Sequence, residues 1–133
     1  VEQFGAHPVP SEALLATPCD ILAPCGLGGV FNSYTVAQLR CAAVAGAANN
    51  QLIHPGIADE LEARGILYAP DYVINSGGLI YVALQHEGAP AERITAQMRE
   101  IPRRLTDIYA HAQAEKRSPA RVADQQAEKL LFG

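Results

Sequence analysis

Basic charge is scarce in this chain. Ten lysines and arginines face fourteen aspartates and glutamates, giving a formal net charge of −4. No basic stripe runs along any segment, so the electrostatic footprint of a nucleic-acid binder is missing. No apolar run reaches membrane-spanning length, and the opening VEQFGAHPVP has neither the basic nor the apolar region of a signal peptide. The four histidines, His7, His54, His86 and His111, are scattered, with neither an HExxH nor a CxxC spacing, so no metal site is expected. Of the three cysteines, Cys19 and Cys25 lie six apart and Cys41 opens a later apolar run. An odd count in apolar surroundings suits reduced, buried thiols in a cytoplasmic protein. Repeats, low-complexity tracts and linkers are also lacking. What remains is a chain of 133 residues with 49% hydrophobic content, enough for one modest domain with its own core. Its first residues, VEQFGA, look like the last turn of a helix stopped by Gly5 with no N-cap in front, and the expectation is that the sequence begins inside a domain.

The middle of the chain alternates strand and helix signals. His7 to Pro10 reads as a short strand, and Ser11 as the cap of a brief helix, EALLA, ending before Pro18. Asp20 to Ala23 is strand-like and stops at Pro24-Cys25-Gly26. Thr35 to Gln38 has capping-box spacing, which predicts a helix of about two turns to Leu39 or Arg40. Cys41 to Ala45, five small apolar residues, predicts a strand buried on both faces. His54-Pro55 starts a helix with Ile57 and Leu61 on one face and Gly65 as its stop. Ile66 to Ala69 is a third strand. Short connections between alternating elements are the signature of parallel βαβ units, so the fold class is α/β with an open parallel sheet. From Asn75 onward the chain turns helical. One helix is expected from Gly77 to Gln85. A second begins near Pro90, with Ile94, Met98, Ile101, Leu105 and Ile108 as a packing stripe and Pro102 expected to kink or divide it. The last opens at Ser118-Pro119 and carries Val122, Ala123, Gln126, Ala127, Leu130 and Leu131. These C-terminal helices are expected to pack on each other or on the sheet.

In open α/β sheets ligands bind beyond the carboxyl ends of the strands. Each strand here runs into a small-residue or polar loop: Ala23-Pro24-Cys25-Gly26, Gly46-Ala47-Ala48-Asn49-Asn50, and Ala69-Pro70-Asp71 leading to Asn75-Ser76-Gly77-Gly78. Small side chains leave room for a flat ligand, and Asn49, Asn50 and Asn75 offer amides to orient it. Each feature also has a plainer structural reading. Asparagine pairs and glycines are ordinary loop formers, Asp71 suits a helix cap, and His54 suits a helix start. Cys25 suits a small wall residue, because no neighbouring base or cation would activate it. Gly26-Leu27-Gly28 begins like a dinucleotide fingerprint, but the sixth position is Phe31, which rejects the match.

Taken together, DILAPCGLGG, AGAANNQL and GILYAPDYVINSGG resemble the cofactor-domain signatures of the Glu/Leu/Phe/Val dehydrogenases, the leucine and valine branch in particular. The resemblance implies NAD-dependent, reversible oxidative deamination of an L-amino acid to a 2-oxo acid and ammonia. It also implies a Rossmann-like NAD-binding domain, of which residues 1–88 resemble the second half, followed by C-terminal helices over residues 89–133. In such enzymes a substrate domain carrying catalytic lysines and an aspartate comes first, as does the glycine-rich turn of the cofactor domain. None of these catalytic groups is carried by this chain, which alone is expected to be inactive and to bind NAD weakly. By resemblance, Ala23, Pro24 and Cys25 line the cofactor trough, with Ala48 beside them. Asn49 and Asn50 lie by the nicotinamide ribose, Asn50 also by the substrate amino group, and Asn75 meets the nicotinamide carboxamide. Leu79 and Val82 wall the substrate side-chain pocket. The expected partners are an amino-acid or 2-oxo-acid substrate, the N-terminal substrate domain and further copies of the protein.

Three departures from the family pattern stand out. Ser76 replaces an alanine, Ala83-Leu84-Gln85 replaces Ala-Asp-Glu, and Pro102 interrupts a helix that is continuous in relatives. An alternative of another class is a free-standing, non-catalytic α/β binding or regulatory domain.

Overall fold

A computed structural model of the chain describes residues 2–133. Single 3-10 turns at Glu2–Phe4 and Leu14–Ala16 precede a regular alternation. It comprises β1 (Ile21–Leu22), α1 (Ser33–Gln38), β2 (Ala43–Val44), α2 (Gly56–Ala63) and β3 (Leu67–Tyr68). Four helices follow: α3 (Asp71–Ile74), α4 (Gly77–His86), α5 (Ala91–Glu115) and α6 (Pro119–Phe132). The three strands are parallel in the order β1-β2-β3, as the alternating pattern required. Each is shorter than its apolar run, although the backbone ladder continues past it through bonds such as Ala45 N–H to Leu22 O and Ala69 N–H to Val44 O.

The sheet is covered on one face. Leu22, Val44 and Tyr68 form one rung, which packs beneath α1, α2 and α6 against Phe31, Val36, Leu39, Ile57 and Leu61. Ile21, Ala43 and Leu67 form the next rung, and there Ile21 is 61% and Leu67 43% exposed. The expectation that Cys41 to Ala45 is buried on both faces is therefore corrected: Val44 is buried, whereas Ala43, on the opposite face, is only half-buried. The cause is topological. Parallel crossovers are right-handed, so two that step in the same direction lay their helices on the same face.

Local signals explain most boundaries. Ile57 and Leu61 are fully buried, and Gly65 takes a φ of +69° as it ends α2. The capping box of α1 is formed by Asn32 and Thr35, not by Thr35 and Gln38, so the helix starts earlier than expected. The proposed strand over His7–Pro10 is absent, since Pro8 and Pro10 have no N–H to offer a ladder. Ser11 caps no helix either. Its hydroxyl faces Glu12, and EALLA makes a turn and one 3-10 turn. Gly5 does turn the chain, at φ +61° after the first 3-10 turn, while Val1 lies outside the described residues.

α5 runs unbroken through Pro102. Proline removes one backbone donor, but Pro102 lies on the exposed side, where water can solvate the carbonyl left without a partner. Ile94 and Ile108 on the opposite stripe are buried and hold the helix in place on both sides of the proline. α6 opens at Ser118 and Pro119 as expected, but the Ser118 hydroxyl donates to Asp59 of α2 at 2.8 Å instead of capping its own helix. Val122 and Ala123 then pack on Ile108 and Ala112 of α5, with Val73 against them. Leu130 and Leu131, expected to pack, are 88% and 75% exposed, because the last turn of α6 meets no other element among the described residues.

Candidate functional site

All three strands point the same way, so the loops that leave them lie along one edge of the sheet. The loop after β1 and the loop after β2 touch at backbone level. A side chain at Gly46 would lie 2.1 Å from the Pro24 carbonyl oxygen, and the Ala48 N–H donates to that same oxygen at 2.9 Å. Further along, a side chain at Gly28 would lie 2.5 Å from the Asn49 carbonyl oxygen, and Gly29 N–H donates to Asn50 O at 2.7 Å. Glycine is needed at both contacts because backbone meets backbone there. Asn50 itself has a φ of +52°, left-handed and uncommon for any residue but glycine, with asparagine the best-tolerated exception.

The third loop closes on the second. Asn75 Nδ2 donates to Asn49 Oδ1 at 2.6 Å, with the Ala47 carbonyl oxygen at 3.4 Å. Asp71 does not cap α3. Its buried carboxylate accepts the Gln51 N–H at 2.7 Å. Gln51, fully buried, donates Nε2 to Gly46 O and Ala48 O, both at 2.9 Å, and so folds the second loop on itself. Gly46, Gly28, Gln51 and Asp71 were not singled out as site residues from the sequence. A glycine directly after a strand is the one signal that pointed to the first of them.

The sequence-derived candidates fall into four groups. Asn49 and Asn75 meet where the second and third loops touch, with Ala48 next in the second loop, whereas Asn50 lines a separate cleft of about 290 Å³ with Tyr68, Asp71, Tyr72 and Asp124. Ala23, Pro24 and Cys25 line an apolar cleft of about 360 Å³ together with Leu15, Leu22 and Leu27. Leu79 and Val82 project from α4 and are 75% and 62% exposed, so no pocket closes around them within the described residues. The thiols differ from expectation: Cys19 and Cys25 are exposed and only Cys41 is half-buried. Burial, then the neighbouring Cys19, pushes the Cys41 thiol above its usual range, which keeps it protonated and unreactive. Among the described residues no three histidine, cysteine, aspartate or glutamate side chains gather as metal ligands, and no helix is long and apolar enough to cross a membrane.

The arrangement offers a hydrogen-bonded amide pair on the edge where the strands end, and an apolar cleft at the end of β1. That suits a flat, polar-edged ligand. The family model for Glutamate/Leucine/Phenylalanine/Valine dehydrogenase matches residues 1–129. Leucine dehydrogenase of Geobacillus stearothermophilus is 40% identical over 131 residues, 98% of this chain and 36% of that protein. Valine dehydrogenase of Streptomyces albus is 48% identical over 112 residues, 84% of this chain and 31% of that protein. The crystal structure of L-tryptophan dehydrogenase from Nostoc punctiforme superposes with a TM-score of 0.91 at 39% identity, covering 96% of this chain and 38% of that one. The chain thus spans about a third of the length of the relatives it matches.

Proposed function

We propose, from the premise that this chain belongs to the Glutamate/Leucine/Phenylalanine/Valine dehydrogenase family, that it is part of an NAD-dependent amino-acid dehydrogenase. The reaction is reversible oxidative deamination of a branched-chain L-amino acid to its 2-oxo acid and ammonia. Residues 1–88 serve as the second half of the NAD-binding domain, and residues 89–133 as helices packed on it. NAD, when bound, takes up the hydride released from the substrate Cα. This chain's residues hold and orient, and the proton-transfer groups belong to a substrate domain elsewhere in the protein. The setting proposed is a cytoplasmic homo-oligomer.

The residues present fit such a cofactor. Asn75 spends its Nδ2 on Asn49, which leaves its Oδ1 as an acceptor for the amide hydrogens of a carboxamide. Ala23, Pro24 and Cys25 give the adjoining cleft a wall without bulk. Ala48 and Asn49 border the ribose, and the Asn50 amide bridges ribose and substrate amino group. Leu79 and Val82 supply an apolar wall for an aliphatic side chain, in keeping with the leucine and valine dehydrogenases among the relatives. The observation that carries the reading is the meeting of Asn75 with Asn49 at the carboxyl edge of a parallel sheet. A stand-alone binding domain would have to leave the apolar Ile21–Leu67 rung bare in water.

The test is to produce the polypeptide at the length of its relatives and follow NADH formation with leucine, valine and phenylalanine. Saturable activity on the two branched-chain substrates is expected. No NADH formation with any of the three, in a folded protein, would rule the proposal out.

A further inference from the structure

The peptide joining Asn50 to Gln51 is held at both polar ends. Its carbonyl accepts from Gly29 N–H at 2.7 Å, and its N–H donates to Asp71 Oδ2 at 2.7 Å. The two holders belong to the loops after β1 and β3, while the peptide belongs to the loop after β2. Asn50 sits directly before this peptide in the left-handed region, at φ +52°. A half-turn of the peptide plane would change ψ of Asn50 and φ of Gln51 and leave the left-handed φ of Asn50 as it is. It would also turn the carbonyl toward the Asp71 carboxylate and the N–H toward Gly29 N–H. An ionised carboxylate only accepts, so the flipped state meets repulsion at both ends. The bond to Asp71 is shielded from water, since Gln51 is fully buried and Asp71 only 7% exposed. Gln51 Nε2 holds the same loop upstream through Gly46 O and Ala48 O, so the loop is anchored on both sides of Asn50.

We propose that Asp71 is a positioning residue, which holds Asn50 in place by anchoring the peptide that follows it to the start of α3. This inference rests on the reading of Asn50 as the amide between cofactor ribose and substrate. Asp71 never touches either ligand. A buried carboxylate is a costly way to start a four-residue helix, and α3 could begin without one; accepting a backbone N–H from another loop is what an acceptor-only group does well.

The test uses the full-length enzyme, with kcat/KM for leucine and the NADH dissociation constant measured in parallel. Asp71→Ala is expected to lower kcat/KM by about 10- to 100-fold, the scale of a small misplacement of an orienting group. Asp71→Asn keeps an acceptor and is expected to recover activity to within about threefold of the parent, its bond being neutral and weaker. Asn50→Gly removes the amide while tolerating the left-handed backbone. Adding Asp71→Ala to it should lower kcat/KM by less than about twofold more, because residues acting through one another are not additive. The NADH dissociation constants should follow the same order. An unimpaired Asp71→Ala enzyme overturns the proposal, as does an Asp71→Asn enzyme no better than Asp71→Ala. A full Asp71→Ala loss on top of an impaired Asn50→Gly enzyme also overturns it, marking a purely structural role. An unimpaired Asn50→Gly enzyme instead overturns the reading of Asn50 itself, and the positioning role with it.

Discussion

Asn75 and Asn49 share a side-chain hydrogen bond of 2.6 Å across 26 residues of sequence. The donor is the Asn75 amide nitrogen, so the bond fixes which end of that side chain remains free. It also couples two loops that leave different strands, and the orientation of one amide thereby depends on the presence of the other.

Asn75→Asp exchanges the donor for a second carboxylate oxygen, which then faces Asn49 Oδ1 at close range. In the full-length enzyme this variant should raise KM for NAD more than Asn75→Ala does. The loss is on the order of 0.5–1.5 kcal/mol, the net worth of a hydrogen bond between groups that water can reach. Initial-rate kinetics with NAD as the varied substrate measure it. Equal, parental KM values in both variants would remove Asn75 from the cofactor site.

Asn50 gives a cleaner comparison, because its backbone is left-handed. Asn50→Gly should lower kcat/KM by roughly 2–4 kcal/mol through loss of a preorganised amide. Asn50→Ala should lose that and also destabilise the loop by about 1 kcal/mol or more, since alanine is strained at this φ. Steady-state kinetics beside thermal denaturation separate the two losses. Parental kcat/KM in both variants sinks the assignment.

Leu79 and Val82, one helical turn apart and both exposed, tune substrate size in the proposed enzyme. The family resemblance implies valine at the position of Leu79 in members acting on leucine. The longer side chain should favour valine over leucine. Leu79→Val should then move the ratio of kcat/KM values toward leucine by about 1–3 kcal/mol, the range for one methylene in an apolar pocket. A ratio that stays put means that Leu79 does not face the substrate.

Produced alone, the 133-residue chain should self-associate. Ile21 and Leu67 expose an apolar rung, the outer strands offer unpaired backbone, and Leu130, Leu131 and Phe132 add an apolar helix end. Light scattering should report oligomers or aggregates, and Ile21→Lys with Leu67→Lys should shift the distribution toward monomer. A monodisperse, cooperatively melting monomer of the unaltered chain contradicts this expectation.

The sequence by itself determined the parallel βαβ order, the buried face of α2 at Ile57 and Leu61, the stop at Gly65 and the start of α6 at Ser118-Pro119. Each of these is written in neighbouring residues, through hydrophobic spacing, proline's fixed φ or glycine's freedom at positive φ. The family signatures were legible for the same reason, as ordered runs of adjacent residues. Tertiary structure alone decided how the loops meet. Asp71 could have capped its own helix, but it accepts an N–H from Gln51, 20 residues away. Gly46 is required by Pro24, and Gly28 by the Asn49 carbonyl. Contacts between loops from different strands leave no periodicity in the chain, because they depend on the register of the sheet that carries them. The unbroken α5 belongs with these. Pro102 alone signals a break, and it is the packing of Ile94 and Ile108 on either side that keeps the helix whole.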